Sequence, residues 1–392
     1  MDNFIFPNER IAALYSYYHV EKAEDKTFVE LFHSLADWLE VVDQKRNFID
    51  TYVIRSDKAQ ILVIPNEDKT RFSLIWDVSF WEFYEQFVRA FFSIMNIASD
   101  ENLPEATKRC FFVSTEKYFL NSIIDYLKKR FSAYKDICSL LEGYRFESKD
   151  ILLYINDDLL DASIEVCKLG KEFILMHELE HILYFFSPEI YQQDSIVFDE
   201  ALKWFHDEML PFFNSEIIRT ESEVLKMSVE HIQNTKDGKR YIELFNDYHA
   251  FFEMMMHHHE NISNTSVPFT RNSQSYFYGV KLLKMFESCI NYLTRVVENA
   301  ASTKFQAVER RFAQVKKASE EYQRIIFSRD YLSVEIIWVG LFWYAEKFPI
   351  DRTEYLESLD TENFAQPYTK VLEPIINSFA NELIKEIICK EQ

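Results

Sequence analysis

Glycine is scarce in this chain, with five residues in 392. Gly143, Gly170, Gly238, Gly279 and Gly340 stand far apart. A phosphate-cradling loop needs several closely spaced positions without a Cβ, so a Gly-rich nucleotide site is excluded. Cysteine is just as rare. Cys110, Cys138, Cys167, Cys289 and Cys389 are odd in number and widely spaced, with no CxxC pair. That excludes a disulfide framework and a cysteine-type zinc knuckle, and suits a reducing, cytoplasmic compartment. Positive charge is also in deficit, the net charge being −21. Such a field repels phosphate-rich partners, so no nucleic acid is expected. Lys128-Lys129-Arg130 and Arg310-Arg311 sit in helical text and read as solvated faces. The most apolar run, Ile336 to Ala345, is half the length that spans a bilayer. It reads as a buried helix, and no membrane span is expected. The opening MDNFIFPNER lacks a basic segment followed by an apolar one, so no secretory leader is expected there.

What the chain has is apolar and aromatic bulk: 48% hydrophobic residues, 36 Phe and 22 Tyr. That is ample for a sizeable core. The aromatics recur at helix-like spacing and read as helix packing. Residues 9–42 carry an apolar residue every three or four positions, which predicts helix. Over 49–77 the period changes. Tyr52 to Ile54, Gln60 to Ile64 and Phe72 to Trp76 read as short strands separated by turns, a small antiparallel meander. Helix returns at 79–99, Phe111 to Val113 reads as a further strand, and 116–141 as helix. Ile151 to Ile155 reads as a strand before a long helix over 161–186 that stops at Ser187-Pro188. Beyond it, helices are expected at 197–210, 216–233, 240–258, 275–325, 330–347 and 368–388. Gln233 to Gly238 reads as an exposed loop, and Asn261 to Asn272 as a longer linker. The expected fold class is α+β and mainly α-helical. A mixed α/β part would cover 1–270 and an all-helical part 271–392.

The chemistry gathers at His177-Glu178-Leu179-Glu180-His181. Residues four apart on a helix share a face, so His177 and His181 can grip one cation. Glu178, next to the first histidine, is placed to take a proton from water at that cation. The flanks are greasy: Phe173, Ile174, Leu175, Met176, Ile182, Leu183, Phe185 and Phe186. Ionisable groups in such a helix need partners or cost several kcal/mol, and a metal satisfies both histidines. Glu180 has no role in this pattern and is expected to pair with a base or reach a cleft edge.

HELEH matches HExxH, and residues 173–183 resemble the active-site helix of the zincin metallopeptidases. The resemblance implies a zincin-like catalytic domain, bound Zn2+, hydrolysis of a protein or peptide, and an edge strand that binds extended substrate. Ile151 to Ile155 is the candidate for that strand. No HxxGxxH tail follows His181, so the third ligand is expected to be acidic. Glu200, in Asp199-Glu200-Ala201, resembles loosely the glutamate of an NEGxA motif, with Asp199 behind it. Asp247, in Asp247-Tyr248-His249-Ala250-Phe251, resembles the ExxAD helix of the minimal glutamate zincins, with Asp in place of Glu and Phe251 in place of Asp. Glu243 and Glu253 stay open as further candidates. His206, His231 and His249 are candidate donors to an oxyanion, with Tyr248 beside them. His257-His258-His259-Glu260 invites a second metal, but adjacent side chains diverge on a helix, so a solvated helix end is expected. The acidic surface suggests a basic substrate.

Two other classes compete. A carboxylate-bridged di-iron protein needs two ExxH pairs on facing helices, and Glu30-Leu31-Phe32-His33 is a second such pair. A non-catalytic interaction protein would use its helical second half to bind a partner.

Overall fold

The computed structural model describes residues 6, 8–147, 151–204, 207, 238–262, 269–302, 312–321 and 366–390. The expected helices at 216–233 and 330–347, His206, His231 and the run at 336–345 lie outside these residues. In chain order come α1 (Glu9–Tyr15), β1 (Val20–Lys22), α2 (Lys26–Trp38), α3 (Glu40–Gln44), β2 (Ile49–Ser56), β3 (Leu62–Pro65) and β4 (Phe72–Asp77). There follow α4 (Val78–Ser99), α5 (Glu105–Arg130), α6 (Lys135–Glu142), α7 (Asp157–Phe186) and α8 (Pro188–Trp204). The last elements are α9 (Lys239–Ile262), α10 (Phe269–Ser302), α11 (312–321) and α12 (Glu373–Lys390). The chain is mainly helical with one small sheet. Among the described residues no helix is long and apolar enough to cross a membrane.

The sheet is mixed, not the antiparallel meander expected from the pattern. Its order is β1-β2-β4-β3. β2 and β4 run parallel, while β1 and β3 join antiparallel at the two edges. The reason lies at the shared end of β2 and β4. The Asp77 carboxylate accepts from the backbone N–H of Ser56 at 3.2 Å and of Ser79 at 3.0 Å. It also accepts from the Ser56 hydroxyl. One buried side chain thus caps α4 and ties the C-terminal ends of two strands together. Hairpin geometry then leaves β3 to pair with β4 alone. A tight turn closes that hairpin, with Asn66 and Arg71 bonded across it and Lys69 at φ 56°. Pro65 on β3 has no N–H, which suits an edge strand.

Two further strand expectations fail. Phe111 to Val113 lies inside α5, where tertiary packing overrides the β preference of aromatic and branched residues. Ile151 to Ile155 is irregular. Its backbone is held by hydroxyls on two helices instead of a neighbouring strand. Leu152 N–H donates to Ser114 Oγ at 2.5 Å, and Tyr154 N–H to Ser93 Oγ at 3.3 Å. The helix expected over 9–42 is also broken by β1, after the chain turns at Ser16 to Tyr18.

Helix α7 is the central element. Asn156 caps it, its side chain accepting from Leu159 N–H at 2.8 Å, and Asp157 and Asp158 favour the positive end of the dipole. Ser187-Pro188 ends it. Apolar residues occupy most of its circumference, which demands burial on several sides. It meets α4, α9, α10, α2, α3 and β3. At its C-terminal end Phe185 and Phe186 pack on Phe72 of β4, with ring centres 4.9 Å and 5.4 Å apart. Near its middle, glycine permits close helix contact. A Cβ on Gly279 of α10 would stand 3.0 Å from Leu169 Cβ and 3.3 Å from the Val166 carbonyl. The larger hydrophobic core runs from α2 through the sheet to α10 and α12, across residue 270, and a smaller one lies between α1 and the sheet. Every described residue from 269 onward is helical.

Candidate metal centre

Polar groups are costly inside a helix as greasy as α7, so each must be accounted for. His177 and His181 emerge on one face, ring centres 5.0 Å apart, as the four-residue spacing requires. The facing element is α9, and it supplies three side chains to the pair. Glu243 Oε2 lies 3.4 Å from His177 Nε2 and 4.0 Å from His181 Nε2. Asp247 Oδ1 lies 2.9 Å from His177 Nδ1. Asn246 Nδ2 lies 2.8 Å from His181 Nδ1. Side chains of α9 thus stand at the Nδ1 side of both rings, and both Nε2 atoms lie near the same carboxylate.

That arrangement fits a metal. His177, His181 and Glu243 each offer one ligand atom within 4.8 Å of the others. Four ligands at zinc distances of about 2.0–2.1 Å stand about 3.3 Å apart on a tetrahedron, close to the His177–Glu243 spacing. Asn246 adds a second sign. Its Oδ1 is buried without a hydrogen-bond partner among the described residues. A half-turn of the amide lets Oδ1 accept His181 Nδ1–H, which leaves the Nε2 lone pair for a cation.

Charge in the pocket is finely divided. Burial works against a charged His177, but Asp247 and Glu243 outweigh it and raise its pKa to about 10. In the metal-free site an imidazolium thus stands between two carboxylates. Glu243 is half-exposed, and the two histidines hold its pKa well below the usual range. Lys284 Nζ, 2.9 Å from Asp247 Oδ1, shares that carboxylate with His177. Burial pushes Glu178 up to about 7; the charge of His177 lowers it and that of Glu243 raises it. The Val63 backbone of β3 also favours the charged form of Glu178. β3 packs against α7 and so runs beside the site. The expected substrate strand, Ile151 to Ile155, is irregular and packs on α4 and α5 instead.

The acidic candidates from the sequence separate in space. Glu200 is exposed on α8 and is not in the metal-capable group. Neighbouring Asp199 accepts from the Tyr241 hydroxyl at 3.1 Å. Asp247 faces the Nδ1 side of His177, away from the gathered Nε2 atoms. Glu253 accepts from Trp38 Nε1 at 2.8 Å. Glu243, one turn before Asp247, takes the central place. A signal for it was present: Glu243-Leu244-Phe245-Asn246-Asp247 carries the Glu and Asp of the ExxAD pattern in register, with Asn for Ala.

The other candidates also find places. Burial lowers the pKa of His249 to about 3, so it stays neutral among Tyr184, Phe245 and Tyr248. Glu180 is fully buried and pairs with no base among the described residues; burial and the charge of Glu253 push it up to about 8. Glu30 and His33 are both exposed, and neither joins a metal-capable group. Comparison with known protein families, curated proteins and solved structures finds no match for this chain.

Proposed function

We propose that the chain is a zinc-dependent metallopeptidase with His177, His181 and Glu243 as metal ligands and Glu178 as general base. The observation that carries this reading is the convergence of two Nε2 atoms and a Glu243 oxygen at one point, with Glu178 on the same turn of α7. Two imidazoles and one carboxylate form a donor set typical of catalytic zinc, which keeps one position open. A bound zinc ion would act as a Lewis acid and lower the pKa of water at that position. Glu178, with a pKa near neutrality, accepts the proton of the attacking water and returns it to the leaving amine. Asp247 and Asn246 orient the rings from behind. The free edge of β3 aligns an extended peptide backbone along α7. The excess of acidic residues favours a basic substrate.

The test is Glu178→Gln, assayed on a proteome-derived peptide library with metal content measured in parallel. A drop of at least about a hundredfold in cleavage with zinc retained supports the reading. Cleavage equal to that of the unchanged protein would rule out Glu178 as the base.

A further inference from the structure

The same pair of helices carries a second gathering of ligand atoms. Glu172 lies on α7 before the histidine pair and is 3% exposed at its side chain. His258 Nε2 stands 2.7 Å from Glu172 Oε1, and His257 Nδ1 stands 3.5 Å from the same oxygen. Adjacent residues on a helix point about 100° apart, the reason a shared cation was not expected. The conflict is resolved by using different ring atoms. His257 offers Nδ1, near its backbone, and His258 reaches with the distant Nε2. The three ligand atoms lie within 4.8 Å of one another.

The rings are held from outside. Ser34 Oγ of α2 lies 3.3 Å from His257 Nε2, which turns Nδ1 inward. Trp38 meets the same ring edge-on at 5.4 Å. The Tyr276 ring of α10 packs on His258 at 4.7 Å. Four helices thus position one small donor set. Both side chains are partly buried, at 14% and 23% exposure, so this is no solvated helix end. Glu172 is a carboxylate with almost no access to solvent. A divalent cation offsets its charge and uses all three donors. The donors suit a borderline metal such as zinc rather than calcium or magnesium, which prefer all-oxygen shells.

We infer that Glu172, His257 and His258 form a second zinc site, distinct from the proposed catalytic one, that clamps α9 to α7. Tetrahedral ligands stand about 3.3 Å apart, so entry of the ion requires the His258–Glu172 contact to open by roughly 0.6 Å. That is within reach of side-chain rotation. The clamp fixes the far end of the helix that carries Glu243, Asn246 and Asp247, so its occupancy stiffens the seam along which the first site is built.

The experiment is a zinc count on the full chain, stripped with chelator and titrated with zinc chloride. The unchanged protein is expected to bind two zinc ions. His181→Gln and Glu172→Gln should each bind one, and the double variant none. Zinc should raise the thermal midpoint of His181→Gln but not that of the double variant. The inference is overturned if His181→Gln binds no zinc, or if Glu172→Gln still binds two. Should Glu172→Gln fail to fold, His258→Gln replaces it, and the count on His181→Gln still decides. Failure of the catalytic reading leaves a different trace: one ion in the unchanged protein, kept in His181→Gln and lost in Glu172→Gln.

Discussion

His177 Nδ1 lies 2.9 Å from Asp247 Oδ1, a contact that turns Nε2 of the same ring toward Glu243, one helical turn earlier on α9. The two acids therefore have different tasks although they share a helix face. One meets the far side of the ring, and the other meets the atom that would hold a metal.

Their substitution should separate them. Glu243→Gln is expected to abolish stoichiometric zinc binding at the His177 and His181 site. Asp247→Asn should keep the site but weaken it by about 10–100-fold, as loss of an orienting partner does. Glu200→Gln, at an exposed position, should change nothing. Zinc affinity in a competitive chelator assay checks all three. Loss of zinc from Glu200→Gln alone would make that residue the third ligand.

Zinc binding should release protons. Metal-free His177 has a pKa of about 10, and a ligand imidazole must be neutral. At pH 7.5 at least one proton leaves as the ion enters. Calorimetry in buffers of different ionisation enthalpy reads this directly. Asp247→Asn, which keeps the site but removes the carboxylate that most favours the imidazolium, should reduce the release per ion. Buffer-independent enthalpy in the unchanged protein would contradict a charged His177.

Glu180 sets a stability dependence of opposite sign to that of a salt-bridged acid. Its folded pKa of about 8 lies above the ordinary 4.5. Between those values the folded chain holds a proton that the unfolded chain has lost. Stability therefore falls as pH rises through this window. Glu180→Gln keeps the neutral shape and should flatten the fall, gaining up to about 5 kcal/mol relative to the unchanged protein near pH 9. Urea midpoints at pH 5, 7 and 9 provide the measurement. A parallel fall in both proteins would place the titration elsewhere.

Gly279→Ala tests the helix contact behind the site. The added methyl would press on Leu169 and on the Val166 carbonyl, backbone that cannot swing aside. A destabilisation of about 1–3 kcal/mol is expected from such overpacking. Denaturant unfolding reads it, and a neutral result would mean that α10 shifts freely on α7.

Much of this fold is written locally. The α7 helix and its Ser187-Pro188 end follow from period and stop signals, whereas its start at Asn156, before the expected 161, shows in the cap. The strands at 49–77 also follow from period, but their order does not. Parallel pairing of β2 and β4 depends on Asp77 reaching Ser56, a contact between residues distant in sequence. Ile151 to Ile155 has strand composition without a strand partner, and hydroxyls on α4 and α5 take its N–H groups instead.

The sequence by itself determined the pairing of His177 with His181 and the place of Glu178 between them, because helix geometry fixes which neighbours share a face. Tertiary structure decided which acid stands beside them, ranking candidates that the sequence had left open. Glu200, Glu243 and Asp247 are all carboxylates on helical segments, and composition cannot rank them. The antiparallel packing of α9 on α7 brings Glu243 to the Nε2 atoms, Asp247 to the back of His177, and His257 and His258 to Glu172. That packing depends on burial summed over several helices, a quantity no local pattern contains.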